Sequence, residues 1–139
     1  LLTAKLVEDV VAALLADDEA DGAIAAVPVS DTIKRAGARS AIATNSVVNA
    51  PLAVEGTVDR GELWAAQTPQ VFRVEALRRA LEADPDAAAS ATDEAMVVEA
   101  AGGRILIHPS TAENVKVTTP LDLRLAELLL AERAAGAGA

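Results

Sequence analysis

Ala23-Ile24-Ala25-Ala26-Val27 is an unbroken apolar run, preceded by the acidic turn Asp17-Asp18-Glu19-Ala20-Asp21-Gly22 and closed by Pro28. A short run without polar alternation reads as a strand buried on both faces, the habit of parallel sheets in α/β proteins. Upstream, Thr3 is placed to cap a helix reaching about Leu15. Leu6, Val7, Val10, Val11, Leu14 and Leu15 recur at three- and four-residue spacing and form one apolar stripe. Leu2 and Val7 occupy the two hydrophobic-staple positions around that cap. Downstream, from Ser30 to Arg60, no helical period holds. Ile33, Ala41-Ile42-Ala43, Val47-Val48, Leu52 and Val54 lie among Gly, Asn, Ser and Pro, which predicts a hairpin-like arm. The arm has too few bulky residues for a core of its own, so it is expected to lie against something else, a second subunit.

Beyond the arm, the spacing predicts a turn at Gln67-Thr68-Pro69-Gln70. A helix follows from Val71 to Ala83, with Val74, Leu77 and Leu81 inward. Thr92 is expected to cap a helix from Asp93 to about Ala101, stopped by Gly102-Gly103. Ile105-Leu106-Ile107 and Val115-Lys116-Val117 read as short buried strands. Thr119, Pro120 and Asp122 form a capping box with proline at the first helical position. Leu121, Leu125, Leu128 and Leu129 are the expected apolar face of that last helix, and Ala134 to Ala139 a fraying tail. Strands alternating with helices predict an α/β layered fold.

Composition narrows the function. The chain has 139 residues, the size of one domain, with 52% hydrophobic and 24% charged residues. Its net charge of −9 argues against general nucleic-acid binding, which needs a basic stripe. No apolar run approaches the ~18 residues of a membrane span. Cysteine is absent and His108 is the only histidine. Thiolate metal sites, disulfide frameworks and multi-imidazole zinc sites are thereby removed. The glycines cannot be arranged into GxGxxG or GxxxxGK, so no phosphate-cradling loop is recognisable. The chain opens at Leu1-Leu2-Thr3, with no initiator methionine or leader, and reads as a fragment.

The polar segments fall at the ends of predicted elements, where α/β sheets place ligands. Each also has an ordinary structural reading. Thr92-Asp93-Glu94 and Thr119-Pro120 serve as plain helix caps. Arg60 beside Asp59 reads as a surface ion pair, His108 as a loop histidine, and Trp64 as a packing residue. Lys34, Arg35 and Arg39 solubilise an arm. Lys116 is less ordinary, because an ammonium between two valines is costly unless it meets a partner or a ligand. Taken together, Lys116, Arg60, Lys34 and the neighbouring hydroxyls form a cationic focus in an acidic chain, the donor set for a phosphorylated substrate.

Five motifs occur as a set and in order: Val29-Ser30-Asp31-Thr32-Ile33-Lys34-Arg35; Thr57-Val58-Asp59-Arg60 with Leu63-Trp64; Gln67-Thr68-Pro69-Gln70-Val71-Phe72; Ala91-Thr92-Asp93-Glu94-Ala95; and Asn114-Val115-Lys116-Val117-Thr118-Thr119-Pro120. By these the chain resembles the 2-C-methyl-D-erythritol 4-phosphate cytidylyltransferases, from Leu1 to about Arg133. The resemblance implies an α/β, Rossmann-like nucleotidyltransferase sheet, incomplete here, over residues 1–133. It also implies a projecting β-arm at about 30–59 that pairs two chains into a homodimer, with a flexible tail at 134–139. The implied reaction joins CTP to methylerythritol phosphate, releasing pyrophosphate and the cytidine-diphospho product of non-mevalonate isoprenoid synthesis, with Mg2+ and in the cytoplasm.

Carried over by the resemblance, Lys116 and Arg60 are the catalytic cations that hold the methylerythritol phosphate, and Lys116 also approaches the reacting phosphates. Thr68 and Thr92 line that pocket. Thr32 and Arg60 reach the partner subunit's site. Asp93 and Glu94 are assigned to capping and pocket shape. The resemblance assigns neither CTP-binding residues nor a metal ligand here, because the family's Gly-rich loop is not found. The chain is therefore expected to be only a C-terminal portion of such an enzyme, its N-terminal half absent. The competing readings are a ribitol-5-phosphate cytidylyltransferase and a non-catalytic module for dimerisation or sugar-phosphate binding. Leu63-Trp64 and Thr92-Asp93-Glu94-Ala95 favour the methylerythritol branch.

Overall fold

A computed structural model describes residues 1–39 and 51–136. The chain forms two compact units, Leu1–Val27 with Ala66–Ala139, and Pro28–Ala65.

The larger unit is organised by the apolar run quoted above. That run is strand β1, Gly22–Pro28, with Gly22 to Ala26 buried. It is the middle strand of a three-stranded sheet, between β4 (Trp64–Phe72) and β5 (Ile105–Pro109). β1 and β5 run parallel, in register from Gly22↔Ile105 to Ala26↔Pro109. Helices cover both faces of this sheet, which is why β1 lacks polar alternation. Successive side chains of a strand point to opposite faces, and this sorts the core into two layers. Ala23, Ala25, Val71 and Leu106 pack with Val10 and Leu14 of helix α1 (Ala4–Leu15). Phe72 and Ile105 pack with the second cluster. There Ala80 comes from α2 (Val74–Ala83), and Val97 and Val98 from α4 (Glu94–Ala100). Gly22 is required where it stands: a Cβ there would lie 2.5 Å from the Phe72 ring.

Thr3 caps α1 as expected, its Oγ1 accepting from the Leu6 amide at 3.1 Å. Gly102, at φ +81°, takes the left-handed conformation just past α4. The capping box of α5 (Pro120–Gly136) also forms, with the Asp122 amide donating to Thr119 Oγ1 at 3.2 Å.

Several expectations need correction. Gln67-Thr68-Pro69-Gln70 is not a turn but the middle of β4, and the Thr68–Pro69 peptide is cis. β4 is an edge strand, where a missing N–H disrupts no ladder. Val71 and Phe72 belong to that strand, so α2 begins only at Val74. Val74 is 67% exposed and Leu81 44%; α2 packs through Ala76, Ala80 and Leu77 instead. A short helix α3, Pro85–Ser90, was not anticipated. The cap of α4 is Asp93, not Thr92: its Oδ1 accepts from the Met96 amide at 2.9 Å. Val115-Lys116-Val117 is not a strand but an irregular connection. His108 is in β5, not in a loop. The expected face of α5 is not its buried face, since Leu121, Leu125 and Leu128 are exposed and Ala126 is buried. Leucines at 121, 123, 125, 128, 129 and 130 surround the helix, so spacing alone cannot single out a stripe.

The smaller unit is the arm. β2 (Lys34–Arg39) pairs antiparallel with β3 (Leu52–Thr57), from Lys34↔Thr57 to Arg39↔Leu52, with register shifts on either side of Ala36. Lys34 Nζ donates to Thr57 Oγ1 at 2.6 Å across the pair. The Val29 amide to Leu63 carbonyl bond closes its base at 3.0 Å. The expected extended pieces Ala41-Ile42-Ala43 and Val47-Val48 lie outside the described residues. Among those described, no helix is long and apolar enough to cross a membrane.

Candidate functional site

A cleft of about 550 Å³ opens in the larger unit, between the middle of β4, helices α2 to α4 and the connection that precedes α5. Strand β4 supplies Thr68, Pro69 and Gln70. The start of α4 supplies Thr92, Asp93 and Glu94, and the connection supplies Lys116. Three of the five predicted site residues, Thr68, Thr92 and Lys116, thus line one cavity although they are up to 48 positions apart.

Lys116 is exposed and pairs with no described residue. The other basic residues of this unit are differently placed, Arg124 included: it too has no partner among the described residues, but it lies on α5 and does not line the cleft. Lys5, Arg73, Arg78, Arg79, Arg104 and Arg133 each have a carboxylate partner within 4 Å. A cation without a protein partner beside two hydroxyls has the chemistry to receive an anion.

Of the two carboxylates at the cleft, Asp93 is occupied, whereas Glu94 is exposed and has no side-chain partner among the described residues. Asp93 accepts from the Met96 amide through Oδ1 and from Gln70 Nε2 through Oδ2, at 2.9 and 3.0 Å. Asp93 is therefore fixed as the cap of α4, and its bond to Gln70 ties that helix to β4. Gln70 Oε1 is buried without a partner in the protein.

The Lys116 connection is pinned at both ends. On one side, Asn114 is only 6% exposed, the one buried polar residue among those described. Its Nδ2 donates to the Thr68 carbonyl at 2.6 Å and to Gln67 Oε1 at 3.3 Å. Gln67 Nε2 donates in turn to the Thr111 carbonyl at 3.2 Å. On the other side, Asp122 Oδ2 accepts from the Thr118 amide, the Thr118 hydroxyl and the Thr119 amide at 3.0, 2.9 and 2.7 Å. Sequence reasoning passed over Asn114. Its signal was an amide side chain between a loop and an apolar residue, two positions before the lysine.

The hydrogen bonds from Thr118, and then those from Thr119, hold the Asp122 carboxyl down to about 2, against an ordinary 3.8. The folded value lies below the unfolded one. The carboxylate therefore stabilises the start of α5 fully above pH 4 or so, and this is lost as pH falls through about 2. A carbon-detected NMR titration of Asp122 is expected to show that low midpoint, with the Thr119 amide shifting in step. A midpoint near 4 would remove the box.

Thr32 and Arg60, the other two predicted site residues, belong to the arm unit. Thr32 is exposed. Arg60 Nη1 donates to the Ser30 carbonyl. Asp59 does not pair with Arg60 but accepts from the Gly61 amide at 3.0 Å.

Comparison with known proteins gives these features a context. The family model for IspD, 2-C-methyl-D-erythritol 4-phosphate cytidylyltransferase, matches residues 1–132. A curated relative of that name from Rubrobacter xylanophilus is 44% identical over 133 residues, 96% of this chain and 51% of its own length. Another from Azoarcus sp. is 48% identical over 119 residues, 86% of this chain and 43% of its own. The solved structure of a 4-diphosphocytidyl-2C-methyl-D-erythritol synthase superposes with a TM-score of 0.67 at 37% identity, covering 93% of this chain and 51% of that one. This chain thus has the α/β fold of those nucleotidyltransferases, a sheet flanked by helices. It spans about half the length of the curated relatives it matches. One expectation is overturned. The family match is not confined to a C-terminal part of this chain but takes in residues 1–132, essentially all of it. The chain belongs to the 2-C-methyl-D-erythritol 4-phosphate cytidylyltransferase family.

Proposed function

We propose that this chain carries the sugar-phosphate side of a cytidylyl transfer from CTP to 2-C-methyl-D-erythritol 4-phosphate. The observation that carries the reading is the convergence of Lys116, Thr68 and Thr92 on one cleft, with the ammonium free of protein partners. A phosphate oxygen of the acceptor attacks the α-phosphorus of CTP. The bond from that phosphorus to the β-bridging oxygen breaks, and pyrophosphate leaves with the electron pair. Such a step asks a protein for alignment and for neutralisation of phosphate charge. Lys116 supplies the charge, and the Thr68 and Thr92 hydroxyls supply donors for the acceptor.

Membership of the family implies magnesium. Among the described residues no three Asp, Glu or His side chains converge and both Asp93 oxygens are engaged, so at this cleft Glu94 is the carboxylate that could share an ion with the substrate phosphates. Neutralisation by this chain's own described residues falls to the lysine. We assign Thr32 and Arg60 to the acceptor site of a second chain, reached through the arm of a homodimer. Both substrates are highly charged and water-borne, so we place the reaction in the cytoplasm.

The test is pyrophosphate release by the purified chain with CTP, Mg2+ and methylerythritol phosphate, with ribitol phosphate in parallel. Turnover with methylerythritol phosphate is expected. Preference for ribitol phosphate would move the chain to the other branch, and silence from a folded dimer that also binds no sugar phosphate would overturn the reading. Arg60→Ala is expected to raise KM for the acceptor roughly tenfold or more, the loss of a charge-assisted bond of ~2 kcal/mol, with KM for CTP unmoved. An effect confined to CTP would remove Arg60 from the acceptor.

A further inference from the structure

We infer that Asn114 is a positioning residue: its amide, clamped to the Thr68 carbonyl, sets where Lys116 stands in the cleft. The inference rests on the reading of Lys116 as a phosphate-binding cation and adds what holds that cation in place.

The argument starts from what the connection lacks. Residues 115–118 belong to no helix or strand, so no backbone ladder fixes them. The lysine side chain makes no protein contact that would orient it. Its position is therefore set at the ends of the segment. At the far end Asp122 grips Thr118 and Thr119. At the near end the grip is Asn114, two residues before Lys116. The Asn114 amide reaches 46 positions back to the carbonyl of Thr68, itself a lining residue of the cleft. One hydrogen bond thus ties the backbone that carries the cation to the backbone that carries a hydroxyl. Gln67 braces it by accepting from the same amide and donating to Thr111, whose carbonyl also accepts from the Asn114 backbone amide at 3.1 Å.

Burial separates this role from that of a surface turn residue. At 6% exposure, water cannot take over the bond when the amide is removed, and the Thr68 carbonyl loses its side-chain donor. An aspartate at 114 would keep the shape but set an acceptor against an acceptor.

The experiment compares the wild-type chain with Asn114→Ala and Asn114→Asp. Backbone amide order parameters report on Lys116 directly, and titration with methylerythritol 4-phosphate reports on the site. The expected result is a fall at Val115 to Val117 from the rigid range of about 0.85 to below about 0.6, with the middle of α5 unchanged. Affinity for the sugar phosphate is expected to fall roughly tenfold, a loss of ~1.4 kcal/mol. In a Lys116→Ala background the same Asn114→Ala change should cost nothing further. Unchanged order at Lys116 would overturn the inference, and so would an equal loss in both backgrounds, the mark of a merely structural residue. If the wild-type chain binds no sugar phosphate yet Asn114→Ala still loosens Lys116, the positioning stands and the proposed reaction falls. Should the Asn114 variants fail to fold, Gln67→Ala removes only the brace. It is expected to loosen Lys116 by a smaller amount, and no loosening there would overturn the inference too.

Discussion

Lys116→Ala is expected to lower the rate of pyrophosphate release by roughly a hundred- to a thousand-fold, the usual cost of removing one preorganised donor from a site of developing charge. The loss should fall on kcat and on kcat/KM together. In the proposed reaction the ammonium faces phosphates whose charge shifts most in the transition state, and such an interaction is not spent on ground-state binding alone. Stability should hardly move. Lys116 is exposed and contacts no described partner, so its removal leaves no buried group unpaired and stays within about 0.5 kcal/mol. Lys116→Arg keeps the charge but replaces a compact ammonium by a bulkier planar fork, and is expected to recover only part of the rate. Steady-state kinetics at saturating CTP and thermal unfolding together check the prediction. A rise in KM for the sugar phosphate with kcat untouched would make Lys116 an anchor only, and unchanged kinetics would take it out of the site.

The same lysine shows how far the sequence could be read. An ammonium between two valines looked expensive enough to need a reason, and that reasoning singled it out. It misjudged the setting, because a run of valine, lysine and valine has the alternation of a strand whether or not another strand is there to pair with it. What holds residues 115–118 is the Asn114 amide on a carbonyl 46 positions away and the Asp122 carboxylate on two threonines. The second device is local and was visible as a capping box. The first is a contact across the fold, and no spacing rule encodes it. The strand β1 was legible for the opposite reason: a strand covered on both faces must be apolar throughout, so its environment is written into five consecutive residues. β4 was hidden by Pro69, which marks turns in most sequences but is tolerated on a sheet edge. In α2 the small residues Ala76 and Ala80 took the buried face in place of Val74 and Leu81. The motifs brought Thr68, Thr92 and Lys116 into one list before any geometry. The cleft then added Gln70 and Asp93 in a partnership the motifs did not specify.

Arg73→Ala is expected to be among the most destabilising single changes in the larger unit, although Arg73 is charged, partly exposed and remote from the cleft lining. The residue follows directly on β4 and stands as the cap position of α2. Its side chain turns back against the end of α1. Nε donates to the Ala20 carbonyl at 2.8 Å, and Nη2 to the carbonyls of Leu14 and Asp17 at 3.3 and 3.2 Å. The last carbonyls of a helix have no intrahelical donor, and a guanidinium there also complements the negative end of the helix dipole. One side chain thus closes α1, the turn into β1 and the exit of β4, three segments that meet only in the folded chain. Removing it strips the charged donor from three carbonyls at once. The bonds are partly solvated, which discounts them, and an overall loss of about 2–3 kcal/mol follows. The Asp18 carboxylate, 3.8 Å away and fully exposed, contributes little to that sum. Arg78→Ala is the matched control, because Arg78 makes only an exposed pair with Glu75 three residues before it; its loss should stay under about 0.5 kcal/mol. Arg73→Lys separates charge from geometry: one ammonium cannot serve three carbonyls spread over seven positions, so less than half of the stability should return. Urea unfolding of the three variants reads the differences. If Arg73→Ala costs no more than Arg78→Ala, the three carbonyls are satisfied by water and the closure of α1 rests on its buried valine and leucine alone.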